Sequence, residues 1–216
     1  SPQARGLFSK AIAQSAYMIS TPALKEERYG MPSAEGVGSY VADKLGAESI
    51  ADLREMSAAD ITFKATKAGY VAWGTIDGVI MPDELVNVFD RGEQAPVPIL
   101  AGFNSGEIRS LRGLLGKAPA NAKDYEEIIR TAYGELADAF LAQYPPKNID
   151  ESMLATTRDA MYGWTSERLV IKQTEIGAPG FLYIFDHGYP EANEMGLHAF
   201  HASEIPYVFG TLKRLT

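Results

Sequence analysis

The chain has 216 residues, 46% of them hydrophobic and 22% charged, a balance typical of folded globular proteins and unlike disordered or fibrous chains. Its formal net charge of −8 repels nucleic-acid phosphates and anionic bilayers, so the sequence predicts neither as a partner. No apolar run approaches the roughly 18 residues that a membrane-spanning helix requires. Cysteine is absent, which excludes disulfides and a thiol nucleophile within these residues.

The first ninety residues show helical patterns and one turn signal. Apolar residues recur with helical spacing early in the chain and predict a helix over about residues 2–14. Ser33 and Ser57 each precede a further helical pattern, in positions that favour N-terminal capping. Residues 74–81 read GTIDGVIM, which predicts a tight Asp-Gly turn with a short strand on either side.

Two later apolar runs are typical of strands buried on both faces of a parallel sheet. Residues 97–103 read VPILAGF and residues 181–185 read FLYIF. Helical patterns cover residues 124–142 and 150–176, interrupted by Tyr-Pro-Pro at 144–146. Strand, helices and strand in this order predict an α/β fold.

Two side chains with catalytic chemistry follow the predicted strands. In an open α/β sheet, the loops at the carboxyl ends of the strands carry the working residues. Glu107 lies five residues beyond Gly102 in the first strand, and His201 lies in the loop after the second. An acid followed by a histidine is one known order of the last two members of a Ser-acid-His triad. A solvated loop carboxylate is the alternative interpretation of Glu107.

Other polar residues near these positions have alternative roles. His187 directly follows the second strand and is interpreted as structural, whereas His198, three residues before His201, suggests a metal pair without a third ligand nearby. Ser105 stands in GFNSG, which has one residue too many for a Gly-x-Ser-x-Gly elbow, and is interpreted as a loop serine. Glu204 begins a predicted short helix and is interpreted as a buried carboxylate that bonds backbone groups or water.

Aromatic side chains neighbour both candidate catalytic residues. Phe103 precedes Glu107 by four residues, and Phe200 directly precedes His201. Ligand clefts are commonly lined by aromatic groups, so both are predicted to contact the substrate. Packing in the core is the alternative for each.

Three segments resemble the type B carboxylesterases, the carboxylesterase/cholinesterase branch of the α/β-hydrolases. Residues 1–15 resemble the segment that follows that family's nucleophile elbow, although Ala16 replaces its usual glycine. Residues 97–107, VPILAGFNSGE, resemble the strand and loop that deliver the family's acid, with Gly106 in place of a further acid. Residues 201–210, HASEIPYVFG, resemble its histidine block.

The resemblance implies a partial α/β-hydrolase fold, in which helices pack on the C-terminal strands of the central sheet. It implies Glu107 as the acid and His201 as the base. Residues 1–216 are then expected to be the C-terminal part of a single catalytic domain, truncated at both ends. The Gly-x-Ser-x-Gly elbow of the family is absent from the 216 residues. The nucleophile is therefore expected in the N-terminal half of the same enzyme, and this chain alone is expected to be nearly inactive.

The reaction implied by the resemblance is hydrolysis of a small carboxylic ester through an acyl-enzyme, with no metal or organic cofactor. A non-catalytic binding or adhesion module is the alternative, because the same family includes adhesion proteins that have lost the triad. The acid and the base in triad order argue against that alternative. Amide or carbamate cleavage uses the same nucleophile and is not separated from ester hydrolysis by sequence.

Overall fold

The computed structural model describes residues 1–212, which divide into two compact units. Unit 1 comprises Ser1–Phe8 and Met18–Ala95, and unit 2 comprises Ser9–Tyr17 and the chain from Pro96 onward. The assignment of residues 1–216 to one catalytic domain stays a prediction. Within residues 1–212, no helix combines the length and apolar character that crossing a bilayer requires.

Unit 1 contains four helices, α1 (Ala34–Leu45), α2 (Ile50–Glu55), α3 (Ala58–Lys67) and α4 (Leu85–Asp90). The first three begin after serines whose hydroxyl oxygens accept a backbone N–H three residues on. These bonds satisfy amide groups that have no partner within the helix. The predicted caps Ser33 and Ser57 are confirmed, whereas α2, capped by Ser49, was not predicted.

The two short strands predicted within residues 74–81 are wrong. The chain does turn at Gly78, which adopts a left-handed φ of 77°. However, the Asp77 carboxylate accepts the backbone N–H groups of Val79, Ile80 and Met81, at 2.8–3.0 Å. Because the carboxylate takes these donors, they are not available to a hairpin ladder.

Unit 2 contains a parallel sheet of three strands in the order β1 (Ala11–Gln14), β2 (Ile99–Asn104) and β3 (Gly180–Phe185). The predicted strands at 97–103 and 181–185 are confirmed as β2 and β3. The prediction that the second of these strands is buried on both faces is wrong, since Phe181, Leu182 and Ile184 are largely exposed. Among the described residues, β3 pairs only with β2 and is therefore an edge strand of the sheet.

The helix predicted over residues 2–14 is wrong. A single 3-10 turn covers Pro2–Ala4, and Gly6 follows with a left-handed φ of 80°, which is incompatible with a continuing α-helix. Residues 11–14 instead form β1, with Ala11 paired to Ile99 and Gln14 paired to Gly102. Pairing with a distant strand outweighs the local helical spacing of the apolar residues.

The described part of unit 2 also contains six helices: α5 (Ala122–Tyr133), α6 (Ala137–Gln143), α7 (Ile149–Arg158), α8 (Trp164–Glu175), α9 (Pro190–Glu194) and α10 (Ile205–Val208). Helices α5 to α8 confirm the two helical patterns and the break at residues 144–146, although a 3-10 turn at Gly134–Leu136 divides the first pattern. Helix α10 confirms the short helix predicted at Glu204, whereas α9 was not predicted. A π-helical turn, Asp159–Gly163, connects α7 and α8. Helix α8 packs on β2 and β3, so the sheet and its helices form the predicted α/β arrangement.

Candidate active site

The carboxyl ends of β2 and β3 bring the two predicted catalytic loops together. After β2 ends, the Gly106 N–H donates to the Ala199 carbonyl at 2.9 Å, and Gly106 also pairs with Phe200 in an isolated parallel bridge. These bonds fix the segment before His201 against the segment before Glu107. The sheet therefore places two residues 94 positions apart in the chain within hydrogen-bonding distance.

Glu107 is fully buried, with 0% of its surface exposed, and both of its carboxylate oxygens are used. The Oε2 atom accepts a hydrogen bond from His201 Nδ1–H. The Oε1 atom accepts the Asn104 backbone N–H at 2.8 Å and the Ser15 hydroxyl. A buried carboxylate requires such donors, because an unpaired charge away from water is strongly unfavourable. This burial excludes the solvated-loop interpretation of Glu107.

His201 retains access to solvent, with 36% of its side chain exposed. Its imidazole stacks on the Tyr162 ring, with centroids 5.7 Å apart, and Tyr162 belongs to the π-helical turn. The hydrogen bond to Glu107 raises the pKa of His201 above the ordinary histidine value of 6.5, against partial burial, which lowers it. Since Nδ1 donates to Glu107, Nε2 is the ring nitrogen that can accept a proton.

The backbone around this pair leaves little space and includes a strained residue. A Cβ atom at Gly106 would lie 2.7 Å from the Leu197 carbonyl oxygen and 2.8 Å from that of Ala199. A side chain at this position would therefore require the loop to shift. Ala202, directly after His201, has a left-handed φ of 68°, a conformation that non-glycine residues adopt only when their surroundings hold them there.

A second buried carboxylate, Glu204, lies beside the pair. Its Oε2 accepts a hydrogen bond from Asn104 Nδ2, and its Oε1 accepts one from Gln14 Nε2 at 3.2 Å. The charge of Glu204 also contributes to the raised pKa of His201. The prediction of a buried carboxylate is confirmed, although its partners are side-chain amides rather than backbone groups.

Sequence reasoning missed Gln14, Ser15 and Asn104, which surround the two carboxylates. Gln14 ends β1, Ser15 follows it, and Asn104 ends β2. The rule that polar residues at the carboxyl ends of parallel strands meet would have found them. The predicted helix over residues 2–14 hides the end of β1, and so hides the position of Gln14 and Ser15 directly at a strand end.

The structure brings the two predicted aromatic residues into different surroundings. Phe103 is buried in an apolar cluster with Ile108, Leu154 and Tyr162, the core alternative of the sequence analysis. Phe200 is half-buried and packs edge to face against the ring of Tyr189. Contact of either ring with a substrate stays a prediction.

The remaining polar candidates lie outside the pair. His187 packs edge-on against the Tyr207 ring, as its structural interpretation implies. His198 is exposed, and within residues 1–212 no three histidine or acidic side chains converge to hold a metal ion. Ser105 donates a hydrogen bond to Asp186, which agrees with a loop role.

Solved structures share the fold of this chain. A carboxylesterase from Geobacillus stearothermophilus is 22% identical, aligns over 98% of this chain and 44% of its own, and superposes with a TM-score of 0.71. A PNB esterase is 24% identical and aligns over 100% of this chain and 46% of its own, with a TM-score of 0.67. The parallel sheet and its packing helices are thus part of an α/β-hydrolase fold.

Residues 1–214 match the model of the carboxylesterase family, and the chain belongs to that family. Carboxylesterase 4A of Bos taurus is 23% identical over 96% of this chain and 44% of its own length. Neuroligin-3 of Mus musculus is 25% identical over 97% of this chain and 28% of its own length. The chain therefore spans less than half of the length of these relatives.

Proposed function

We propose that the chain supplies the acid, Glu107, and the base, His201, of a Ser-Glu-His triad in a serine hydrolase that cleaves small carboxylic esters. The observation that carries this proposal is the hydrogen bond from His201 Nδ1 to the fully buried Glu107 carboxylate. Membership of the carboxylesterase family supports ester hydrolysis as the reaction. The loops after adjacent parallel strands are where such a fold carries its catalytic groups.

Each residue has a defined part in the proposed reaction. His201 Nε2 accepts the proton of the serine hydroxyl as the serine oxygen attacks the ester carbonyl. The imidazolium then gives this proton to the departing alcohol, which leaves an acyl-enzyme. Glu107 holds the imidazole in one tautomer and stabilises its positive charge, in agreement with the raised pKa of His201. Water, activated by the same imidazole, hydrolyses the acyl-enzyme.

The nucleophilic serine is proposed to belong to the N-terminal half of the same enzyme. This chain aligns with 44% of the length of carboxylesterase 4A, and no Gly-x-Ser-x-Gly pattern occurs in it. Among the described residues, β1 pairs on one side only, and Ile12 on this strand is largely exposed. An open strand edge of this kind supports a further strand beside β1. Without the serine, turnover by this chain alone is expected to fall by about 10⁴ or more.

A binding module on the same scaffold is the second candidate, and the similarity to neuroligin-3 favours it. The geometry of the pair favours hydrolysis. A scaffold that only binds a partner does not require a fully buried carboxylate hydrogen-bonded to a partly exposed imidazole. Nor does it require the other oxygen of that carboxylate to be held by Ser15 and Asn104.

The experiment uses the full-length protein that contains residues 1–216. Turnover of a chromogenic ester is measured, and intact mass is recorded after treatment with a serine-reactive phosphonate. We expect turnover and one adduct on a serine outside these residues, with both abolished in His201→Gln and retained in the control His187→Gln. Absence of turnover and adduct would instead support the binding module. An adduct on a serine within residues 1–216 would overturn the proposed position of the nucleophile.

A further inference from the structure

We infer that Asn104 is a positioning residue for the acid and the base, because it ties the end of the strand that precedes Glu107 to the turn that carries His201. This inference rests on the proposed function of Glu107 and His201. It adds a residue that touches neither the substrate nor the reacting atoms.

Asn104 is the last residue of β2 and is fully buried. Its backbone N–H donates to Glu107 Oε1 at 2.8 Å. Its side-chain Nδ2 donates to the Phe200 carbonyl at 2.8 Å and to Glu204 Oε2. An amide nitrogen carries two hydrogens, so both donors of this group are used. One residue thus contacts the acid and two points on either side of the base.

The two side-chain bonds hold the turn around His201 at both ends. The Phe200 carbonyl, directly before the base, accepts one of them, and the Glu204 carboxylate, three residues after the base, accepts the other. The turn includes Ala202 in its left-handed conformation, which is strained for a non-glycine residue and persists only when surrounding contacts impose it. The Asn104 side chain supplies two such contacts, so its loss is expected to release the turn and weaken the bond from His201 to Glu107.

The chemistry of the position requires a donor. Both partners of the side chain, the Phe200 carbonyl and the Glu204 carboxylate, are acceptors. An apolar residue would leave them without these bonds, and aspartate would place a second carboxylate against Glu204. Gln14 also donates to Glu204, but within the described residues it donates no hydrogen bond to Phe200 or Glu107, which makes it a matched control.

The test compares Asn104→Ala with Gln14→Ala in the full-length protein, because each variant removes one amide donor to Glu204. The measurements are kcat and KM for a chromogenic ester, the pH profile of kcat/KM, and the low-field proton resonance of the bond between His201 and Glu107. For Asn104→Ala we expect a roughly 10²-fold fall in kcat with KM little changed, as for a misplaced catalytic group. We also expect the acid limb of the kcat/KM profile to move to lower pH, because a weaker bond to Glu107 raises the pKa of His201 less. The low-field resonance should shift or disappear. Gln14→Ala should change each of these readouts less than Asn104→Ala does.

Partial rescue separates positioning from general stability. Asn104→Ser keeps one hydroxyl donor and should recover part of kcat and of the low-field resonance; it also replaces the alanine variant if that variant does not fold. An unchanged kcat, pH profile and resonance in Asn104→Ala would overturn the inference. So would an equal loss in Gln14→Ala. If the unsubstituted protein shows no turnover, the proposed function fails, and the resonance still tests whether Asn104 positions the pair.

Discussion

The serine caps of unit 1 and the polar groups around Glu107 and His201 in unit 2 act over very different distances along the chain. In unit 1, the serine caps and the Asp77 turn join residues at most four positions apart, in exposed surroundings. In unit 2, the bond from Ser15 to Glu107 spans 92 positions and the bond from Gln14 to Glu204 spans 190. The local bonds define where secondary structure begins, whereas the distant bonds fix two carboxylates relative to one imidazole. The difference predicts that removing the bonds around Glu107 and His201 changes catalysis, whereas removing a helix cap in unit 1 changes only stability.

The largest effect is expected from Glu107→Gln. Glutamine keeps the shape but removes the charge that stabilises the imidazolium, so kcat should fall by about 10⁴. The measurement is ester turnover by the full-length protein, with Glu127→Gln on the exposed face of α5 as the matched control. Activity within tenfold of the unsubstituted protein would contradict the role given to this carboxylate.

Gly106→Ala tests the close backbone approach beside the pair. The new Cβ would lie under 3.0 Å from two carbonyl oxygens, so the loop must shift. We expect destabilisation by about 1–3 kcal/mol, as for overpacked sites. The midpoint of urea unfolding measures this effect. Gly116→Ala, which meets no atom within 4 Å, should leave the midpoint nearly unchanged, and equal midpoints for both variants would refute the crowding argument.

Ser15→Ala removes one donor from the Glu107 carboxylate and leaves two. A hydrogen bond to a charged group contributes about 1.5–3 kcal/mol, and only part of it should appear in the transition state. We therefore expect kcat/KM to fall by about tenfold. Exposed Ser110 provides the control, since Ser110→Ala should retain full activity. An unaltered kcat/KM in Ser15→Ala would show that the other two donors are enough to hold the Glu107 carboxylate, and would contradict a role for Ser15.

The smallest effect is expected in unit 1. Ser33→Ala and Ser57→Ala each remove a helix cap and should lower the free energy of unfolding by about 1 kcal/mol, with kcat unchanged. Asparagine at either position keeps a capping oxygen and should restore the stability. A tenfold change in kcat from either alanine variant would break the distinction between the two units.

These contrasts also explain how much the sequence could predict. Caps at Ser33 and Ser57 were predictable because the signal and its partner lie within one helical turn. The strand over residues 97–103 and the order of Glu107 and His201 were predictable from a buried apolar run and its position. Ser15 was not, because its role depends on β1, whose pairing with β2 is decided by residues almost ninety positions away. The role of Asn104 was not predictable either, because its side-chain partners lie at Phe200 and Glu204, about a hundred positions further along the chain.

The most direct test of the account is the pH titration of the His201 imidazole by NMR in the full-length protein and in Glu107→Gln. Since the hydrogen bond to Glu107 raises the pKa of His201 above 6.5, the neutral base should form only above that pH. The account predicts a midpoint above 6.5 that coincides with the acid limb of kcat/KM, and a lower midpoint in Glu107→Gln. A midpoint at or below 6.5 that the substitution does not move would contradict the pairing of Glu107 with His201.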